Sequence, residues 1–247
     1  MAGGGLSTFR TVRFGEEEIR YELERKKVKN LNLRIRSDGS VYVSVGASVP
    51  VGKADEFVRE RGAWILDTQR KFRELAAAVP GEKQYVSGET FEILGRGLRL
   101  LVEQGPENQA ESDGIYLRVR VKDPEDFALK RRCVERYLDQ QCRDVFGEIL
   151  KELYPQFRRY GVPMPVLRVR KMKTRWGSCL PAKGVVTLNR RLIEAPRGCV
   201  ESVIAHELCH FVYPNHSAQF YRFLSMFLPD WKERKQILDQ NYAARLY

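Results

Sequence analysis

The chain has 247 residues, with 43 Lys and Arg against 32 Asp and Glu, so its formal charge is +11. Hydrophobic residues make up 43% and charged residues 30%, which is typical of folded proteins and too apolar for an intrinsically disordered chain. No apolar run approaches the ~18 residues that a membrane-spanning helix needs. The N-terminal segment has no apolar core of a secretory signal, so we expect a cytoplasmic protein without a membrane partner.

The cysteines and the charge further limit the kinds of protein and partner that the sequence allows. The five cysteines are an odd number and contain no C-x-x-C pair, which argues against a disulfide scaffold and against a zinc site of four thiolates. The basic excess fits a nucleic acid or another acidic partner. We favour a basic surface that only faces solvent over a dedicated nucleic-acid site, because the basic residues occur in short, scattered clusters without aromatic interleaving.

The first 122 residues predict mostly strands with one inserted helix. Alternating apolar and polar residues, bounded by turn residues, predict strands at 11–14, 19–24, 31–36, 41–45, 91–94, 98–103 and 115–121. Apolar residues at helical spacing predict the helix over 53–78, and the segment 105–113 is predicted to be a polar loop. No internal repeat is evident.

From residue 123 onwards the pattern becomes mainly helical. Helices are predicted over 123–157, with an interruption at Pro155, over 198–213, over 217–227 and from Pro229, with strands at 166–171 and 184–188. The sequence therefore predicts an α+β fold of two parts. Residues 1–122 form a β-rich region for substrate recognition or gating, and residues 123–247 form the region that carries the chemistry.

All three histidines of the chain fall within one short segment. In His206-Glu207-Leu-Cys-His210 the two imidazoles lie on one face of a helix. Pro214 is expected to end this helix, so that His216 can approach the same ion. Three neutral imidazoles leave a fourth position for water, which is the pattern of a catalytic zinc site. Glu207 lies beside them, where it can accept a proton from that water.

Further motifs accompany these histidines. They are R-W-G-S-C at 175–179, T-L-N at 187–189 and P-N-H at 214–216, with weaker matches at 57–65 and 86–96. With them, nearly the whole chain resembles the YgjP-like (SprT-related) zinc metallopeptidase domain family. The resemblance implies a zincin-like fold, in which the active-site helix packs on an antiparallel sheet. It also implies zinc as the cofactor, with His206, His210 and His216 as ligands and Glu207 as the catalytic base.

Four more residues are candidates for contacts to the substrate or the transition state. Tyr213 and Arg175 could stabilise an oxyanion, although a Tyr beside a helix end is also a common packing residue. Trp176 and Ser178 could shape a wall of the site, or they could form a tight turn around a core Trp. Cys209, at a variable position of the histidine motif, is predicted to pack in the core.

The sequence is compatible with three functions. The first is a zinc peptidase, in which Glu207 deprotonates a zinc-bound water that attacks a peptide or protein substrate. Strand 185–188 could then pair with an extended peptide, or only within its own sheet. The second is a nucleoside triphosphate (UTP) pyrophosphatase that uses the same metal site, as described for some family members, although the chain has no P-loop. The third is a nucleic-acid-binding protein with a structural zinc, for which Glu207 would have no task.

Overall fold

In the computed structural model, which describes residues 7–36, 38–77 and 81–246, the chain is α+β, as predicted, and divides into two units. The first unit ends at residue 79 and the second runs from residue 80 to residue 246. Residue 122, the predicted boundary, therefore lies inside the second unit. The strands before this residue and the helix after it share one hydrophobic core, which a boundary there would expose.

The first unit contains a four-stranded sheet and two helices. Its elements are β1 (Ser7–Phe14), β2 (Glu17–Arg25), β3 (Asn32–Ile35), β4 (Val41–Val45), α1 (Val51–Glu60) and α2 (Gly62–Ala77). The strand order is β1-β2-β4-β3, with β2 and β4 parallel and the two outer pairs antiparallel. Alternate residues of β2 and β4 are buried against Ala54, Val58 and Ile65 of the helices. This burial explains why period-2 alternation predicted the strands.

The single helix predicted over residues 53–78 is in fact two helices, α1 and α2, separated by Arg61. A Cβ atom at Gly62 would lie only 2.3 Å from the ring of Phe14. The close approach of Phe14 therefore requires glycine at the start of α2, and glycine is a poor helix former. Residue 78, the predicted end of the helix, lies outside the described residues.

The second unit begins with another four-stranded sheet, followed by a long helix. Its elements are β5 (Thr90–Ile93), β6 (Arg96–Gln104), β7 (Gln109–Ser112), β8 (Tyr116–Val121) and α3 (Phe127–Arg158). Cys133 and Val134 of α3 pack on this sheet, whereas Phe146 and Ile149 enter the next core along the chain. The helix continues through Pro155, where an interruption was predicted, because a proline in the last turn removes only one hydrogen bond.

The two four-stranded sheets have the same topology, although the sequence shows no repeat. In each sheet a hairpin is followed by an edge strand and then by a strand that pairs in parallel with the second strand, giving the order β5-β6-β8-β7. The edge strand β7 lies within the predicted polar loop 105–113. Its sequence Gln-Ala-Glu-Ser lacks β-branched and aromatic residues, so that the strand depends on its pairing with β8.

The rest of the second unit carries the histidine motif. Its elements are β9 (Val166–Arg170), β10 (Gly177–Leu180), β11 (Val185–Asn189), α4 (Arg197–Cys209), α5 (Ala218–Phe227) and α6 (Trp231–Ile237). The strand order is β10-β11-β9, and α4 contacts β10, β11 and α3. The sheet is mixed, which corrects the antiparallel sheet implied by the resemblance. The chain crosses from β9 to the far edge and returns through the centre, so β11 is antiparallel to β10 and parallel to β9.

In the part of the chain that the structure describes, no helix is both long and apolar enough to cross a bilayer.

Candidate metal centre

The three histidines lie on α4 and on the turn that follows it. His206 and His210 are one helical turn apart at the C-terminal end of α4, and Pro214 lies in the turn that leads to His216. The candidate ligand atoms of the three imidazoles all lie within 4.8 Å of one another. The Nε2 atoms of His206 and His216 are 2.8 Å apart. The structure thus brings the three predicted ligands together around one point.

A backbone carbonyl fixes the orientation of His210. Its Nδ1–H donates a hydrogen bond to the carbonyl of Tyr213, with the two atoms 3.2 Å apart. This bond leaves Nε2 of His210 as the free lone pair, which is how metal-binding histidines are usually held. The ring of Tyr213 packs on Phe223, with 5.4 Å between ring centroids. The carbonyl of Tyr213 thus orients His210, while an oxyanion contact by the Tyr213 side chain stays a prediction.

The ring of Phe220 packs against all three imidazoles. The centroid of its fully buried ring lies 4.8 Å from those of His206 and His210 and 4.9 Å from that of His216. Phe220 lies in the first turn of α5, where its backbone N–H donates to the side chain of Ser217 at the N-terminal cap. Sequence reasoning missed this residue. The available signal was an aromatic residue four positions after the third histidine.

Burial favours the neutral form of His206 and His210. Removal from solvent, together with the neighbouring imidazoles, lowers the pKa of His206 to about 4. Burial also lowers the pKa of His210. Only a neutral imidazole offers a lone pair to a metal ion. Three imidazole nitrogen donors that converge on one point fit a zinc ion, which prefers nitrogen and sulfur ligands.

Glu207 lies beside this cluster and is almost completely buried. Only 5% of its surface is exposed. Burial raises the pKa of Glu207 to about 8, and the positive charge of Arg175 opposes this rise. The carboxyl group lies directly against the backbone of Gly177 in β10, where a Cβ atom would come within 2.5 Å of Oε1. The glycine of the R-W-G-S-C motif is therefore required by the position of Glu207.

A cavity of about 520 Å³ opens at the histidines. The predicted contact residues Arg175, Trp176 and Ser178 line it, together with Gly177 and Glu207. Arg175 is exposed, whereas Trp176 and Ser178 are half-buried. One wall of the cavity is thus the strand β10 and the segment immediately before it.

Asn189 holds that segment in place. Its side-chain amide donates to the carbonyls of Met172 and Arg175, over 2.7 and 3.0 Å. Its Oδ1 accepts from the backbone N–H of Arg191 at 3.1 Å, and its own backbone N–H donates to the carbonyl of Trp176 at 2.7 Å. Because Asn189 is completely buried, these bonds fix the path of the chain into the cavity wall. Asn189 belongs to the T-L-N motif, but the sequence alone did not show which backbone groups its side chain would bind.

The opposite wall is aromatic. Tyr221 stacks on Trp231, with 4.9 Å between ring centroids and 17° between ring planes. The ring of Tyr221 also lies nearly parallel to that of His216, at 6.1 Å. The other side chains of this wall are apolar or form an ion pair: Val203, Leu224, Leu238 and the pair Lys235–Asp239. An apolar recess therefore extends from the histidines.

The cysteines do not join the cluster. In the part of the chain that the structure describes, the only group of potential ligands within reach of one ion consists of the three histidines. Cys209 is completely buried in the core, as predicted for this position. Cys179 lines the cavity, but burial raises its pKa to about 12, so it is a neutral thiol.

Comparison with known proteins gives one family match. The model of the family described as "YgjP-like, metallopeptidase domain" matches residues 29–241, nearly the whole chain. Among solved structures, the metallopeptidase zymogen abylysin of Pyrococcus abyssi is similar over 39% of this chain and 94% of its own, with 21% identity and a TM-score of 0.35. The search of curated proteins found no match.

Proposed function

We propose that this chain, which belongs to the YgjP-like metallopeptidase family, hydrolyses peptide bonds with a zinc ion held by His206, His210 and His216. Family membership by itself supports a metallohydrolase. The observation that carries the finer proposal is the convergence of three imidazoles next to one buried carboxyl group. We also infer a zincin-like arrangement, in which α4 packs against the sheet that contains β10 and β11.

A zinc ion held at this point would supply Lewis acidity, by polarising a substrate carbonyl and by lowering the pKa of a bound water. The chain itself supplies the ligand nitrogens and their orientation. The carbonyl of Tyr213 fixes His210, and the ring of Phe220 packs against all three imidazoles. Because these contacts already hold the imidazoles in place, the side chains lose less rotamer freedom when a metal binds.

Glu207 is the residue we propose to accept and return the proton. Peptide hydrolysis needs one group that takes a proton from water and later donates a proton to the leaving amine. Burial raises the pKa of the Glu207 carboxyl group, which increases its affinity for the proton that it would take from water. Its contact with the backbone of Gly177 restricts the directions in which the carboxyl group can turn.

The strand β10 is the element we propose to hold the peptide. It forms one edge of its sheet and pairs with β11 on its other side only. The central strand β11 is paired on both sides, which corrects the option that strand 185–188 itself adds a peptide strand. An extended peptide along β10 would continue the sheet, and the recess at Tyr221 and Trp231 would accept an apolar side chain of that peptide.

The alternatives have less support. Two cations, Arg175 and Lys235, line the described cavity, and Lys235 is paired with Asp239. A triphosphate needs several converging cations or a second metal, so this lining favours a peptide over UTP. A structural zinc would need a closed set of ligands. The described residues supply three histidines, which do not close a set of four ligands, and a buried glutamate lies beside them.

The decisive experiment replaces Glu207 by Gln, which keeps the volume of the side chain but removes the base. We expect hydrolysis of casein by the zinc-loaded protein to fall at least about 100-fold, with the zinc content unchanged. Glu233→Gln, on the exposed side of α6, is the matched control and should retain full activity. Release of pyrophosphate from UTP, with no cleavage of casein, would contradict the proposal, and so would a fully active Glu207→Gln variant.

A further inference from the structure

Because the two four-stranded sheets have the same topology, the charges on their corresponding edge strands can be compared directly. The edge strands β3 and β7 occupy the same position in their sheets, and their residues show the same alternation of exposed and half-buried side chains. The strand β3 with the segments flanking it, residues 26–36, has five basic residues and no acidic one. The corresponding segment 105–112 has two acidic residues and no basic one. Since both segments fold in the same way, the fold alone does not require the positive charge of 26–36, which we call the basic edge.

The third residue of each edge strand shows the contrast most directly. It is Arg34 in β3 and Glu111 in β7. Glu111 forms an ion pair with Arg120 at 2.9 Å. Arg120 also pairs with Glu103, at 3.5 Å. In the second sheet the charges on the open face therefore neutralise each other, which leaves little net field for a partner.

Some cations near the basic edge have partners within the first unit. Arg25, directly before it, donates to the carbonyls of Gly46, Ala47 and Val49 over 2.6 to 3.3 Å. The Arg25 guanidinium thus holds the segment that leads into α1 and already has its partners within the first unit. Within the basic edge itself, Lys26 is paired with Glu24.

Arg36 contributes a charge stacked on an aromatic ring. Its guanidinium lies 3.9 Å from the centroid of the Tyr42 ring and donates to the Tyr42 hydroxyl at 2.7 Å. Tyr42 is directly opposite Arg34 in the strand register, so a ring and two guanidinium groups lie together on the open face of the sheet. Cationic side chains combined with aromatic rings are typical of surfaces that bind nucleic acid.

The remaining three cations are available for a partner. Lys27, Lys29 and Arg34 are exposed, and among the described residues no carboxylate lies within 4 Å of their charged groups. Like charges held close together repel one another and raise the free energy of the folded chain. Binding a polyanion relieves this repulsion and releases counterions from the polyanion.

We propose that the basic edge binds the phosphate backbone of nucleic acid, independently of base sequence, through Lys27, Lys29 and Arg34. Arg34 lies in β3 and is exposed, and Arg36, which directly follows the strand, is exposed as well. Exposed cations spaced along one segment match the repeated negative charges of a nucleic acid backbone. The proposal is independent of the peptidase activity, because these residues lie in the first unit and the histidines in the second.

The test is the salt dependence of binding to a fluorescently labelled oligothymidine and to a labelled duplex of the same length, with the full chain. The variant Lys27→Ala/Lys29→Ala/Arg34→Ala should bind about tenfold more weakly at low salt. Each lost contact should also reduce the slope of log affinity against log salt by about 0.7 for the single strand and about 0.9 for the duplex. Arg34→Lys, which keeps the charge, should bind as the unchanged chain does.

The matched control removes the same number of charges from the same unit. Arg70→Ala/Lys71→Ala/Arg73→Ala lies on α2, where Asp67 already pairs with Arg70 and Lys71, and should leave binding unchanged. Equal losses in both triple variants would overturn the proposal, because they would reflect net charge only. Equal competition by polyglutamate at matched charge would also overturn it, in favour of an acidic protein partner.

Discussion

At the scale of single residues, Gly177 is closely constrained by Glu207. The strand β10 passes so near to α4 that a Cβ atom at Gly177 would lie 2.5 Å from Oε1 of Glu207. The spacing of the histidines and Glu207 follows from helix geometry and is visible in the sequence. The role of Gly177 is not, because it depends on the approach of a strand that is distant along the chain. The same holds for Phe220, whose ring supports the three imidazoles.

We therefore predict that Gly177→Ala inactivates the site without removing its metal. The added methyl group would lie 2.5 Å from Oε1 of Glu207, so the carboxyl group must move. A displacement of about 1 Å is enough to reduce turnover roughly 100-fold. The measurement is kcat on casein together with zinc content. Gly147→Ala on α3, where a Cβ atom meets nothing within 4 Å, is the control and should be fully active. Normal turnover by Gly177→Ala would contradict this account of Glu207.

At the scale of elements, periodicity predicted most strands and helices but not the pairing of the strands. Apolar alternation in β2, β4, β6 and β8 reflects burial on one face, which the sequence records directly. The edge strands β7 and β10 lack this signal. β7 is held by the register of β8, and β10 is held by β11 and by the hydrogen bonds of Asn189. Such contacts between distant segments cannot be read from local patterns.

Asn189 allows a prediction at this scale. Replacing Asn189 by Ala leaves the carbonyls of Met172 and Arg175 without their side-chain donor, in a buried position. We expect a loss of about 1–3 kcal/mol in the free energy of unfolding. We also expect reduced turnover at unchanged zinc content, since Arg175 and Trp176 would lose their fixed path along the cavity. Denaturant unfolding and casein assays measure both effects. Asn32→Ala, at an exposed position of β3, should change neither, and an unaltered Asn189→Ala variant would show that the segment is held by other contacts.

At the scale of the whole molecule, one sheet topology is used twice with different consequences. In the second unit the sheet β5–β8 shares α3 with the core beneath the histidines, so it is part of the framework of the site. In the first unit the same topology forms a separate core with α1 and α2, and its edge strand carries unpaired positive charge. The sequence could not predict this duplication, because the two copies share burial patterns and strand order rather than residues.

The metal content of the purified full chain tests the central claim most directly. It should be measured by elemental mass spectrometry after expression with added zinc and without chelators, for the unchanged chain and for His210→Ala. We expect about one zinc ion per chain, lost in His210→Ala because the Nε2 ligand and the fixed geometry with the Tyr213 carbonyl disappear together. The absence of stoichiometric zinc in the unchanged chain, or its retention in His210→Ala, would contradict a metal centre formed by the three histidines.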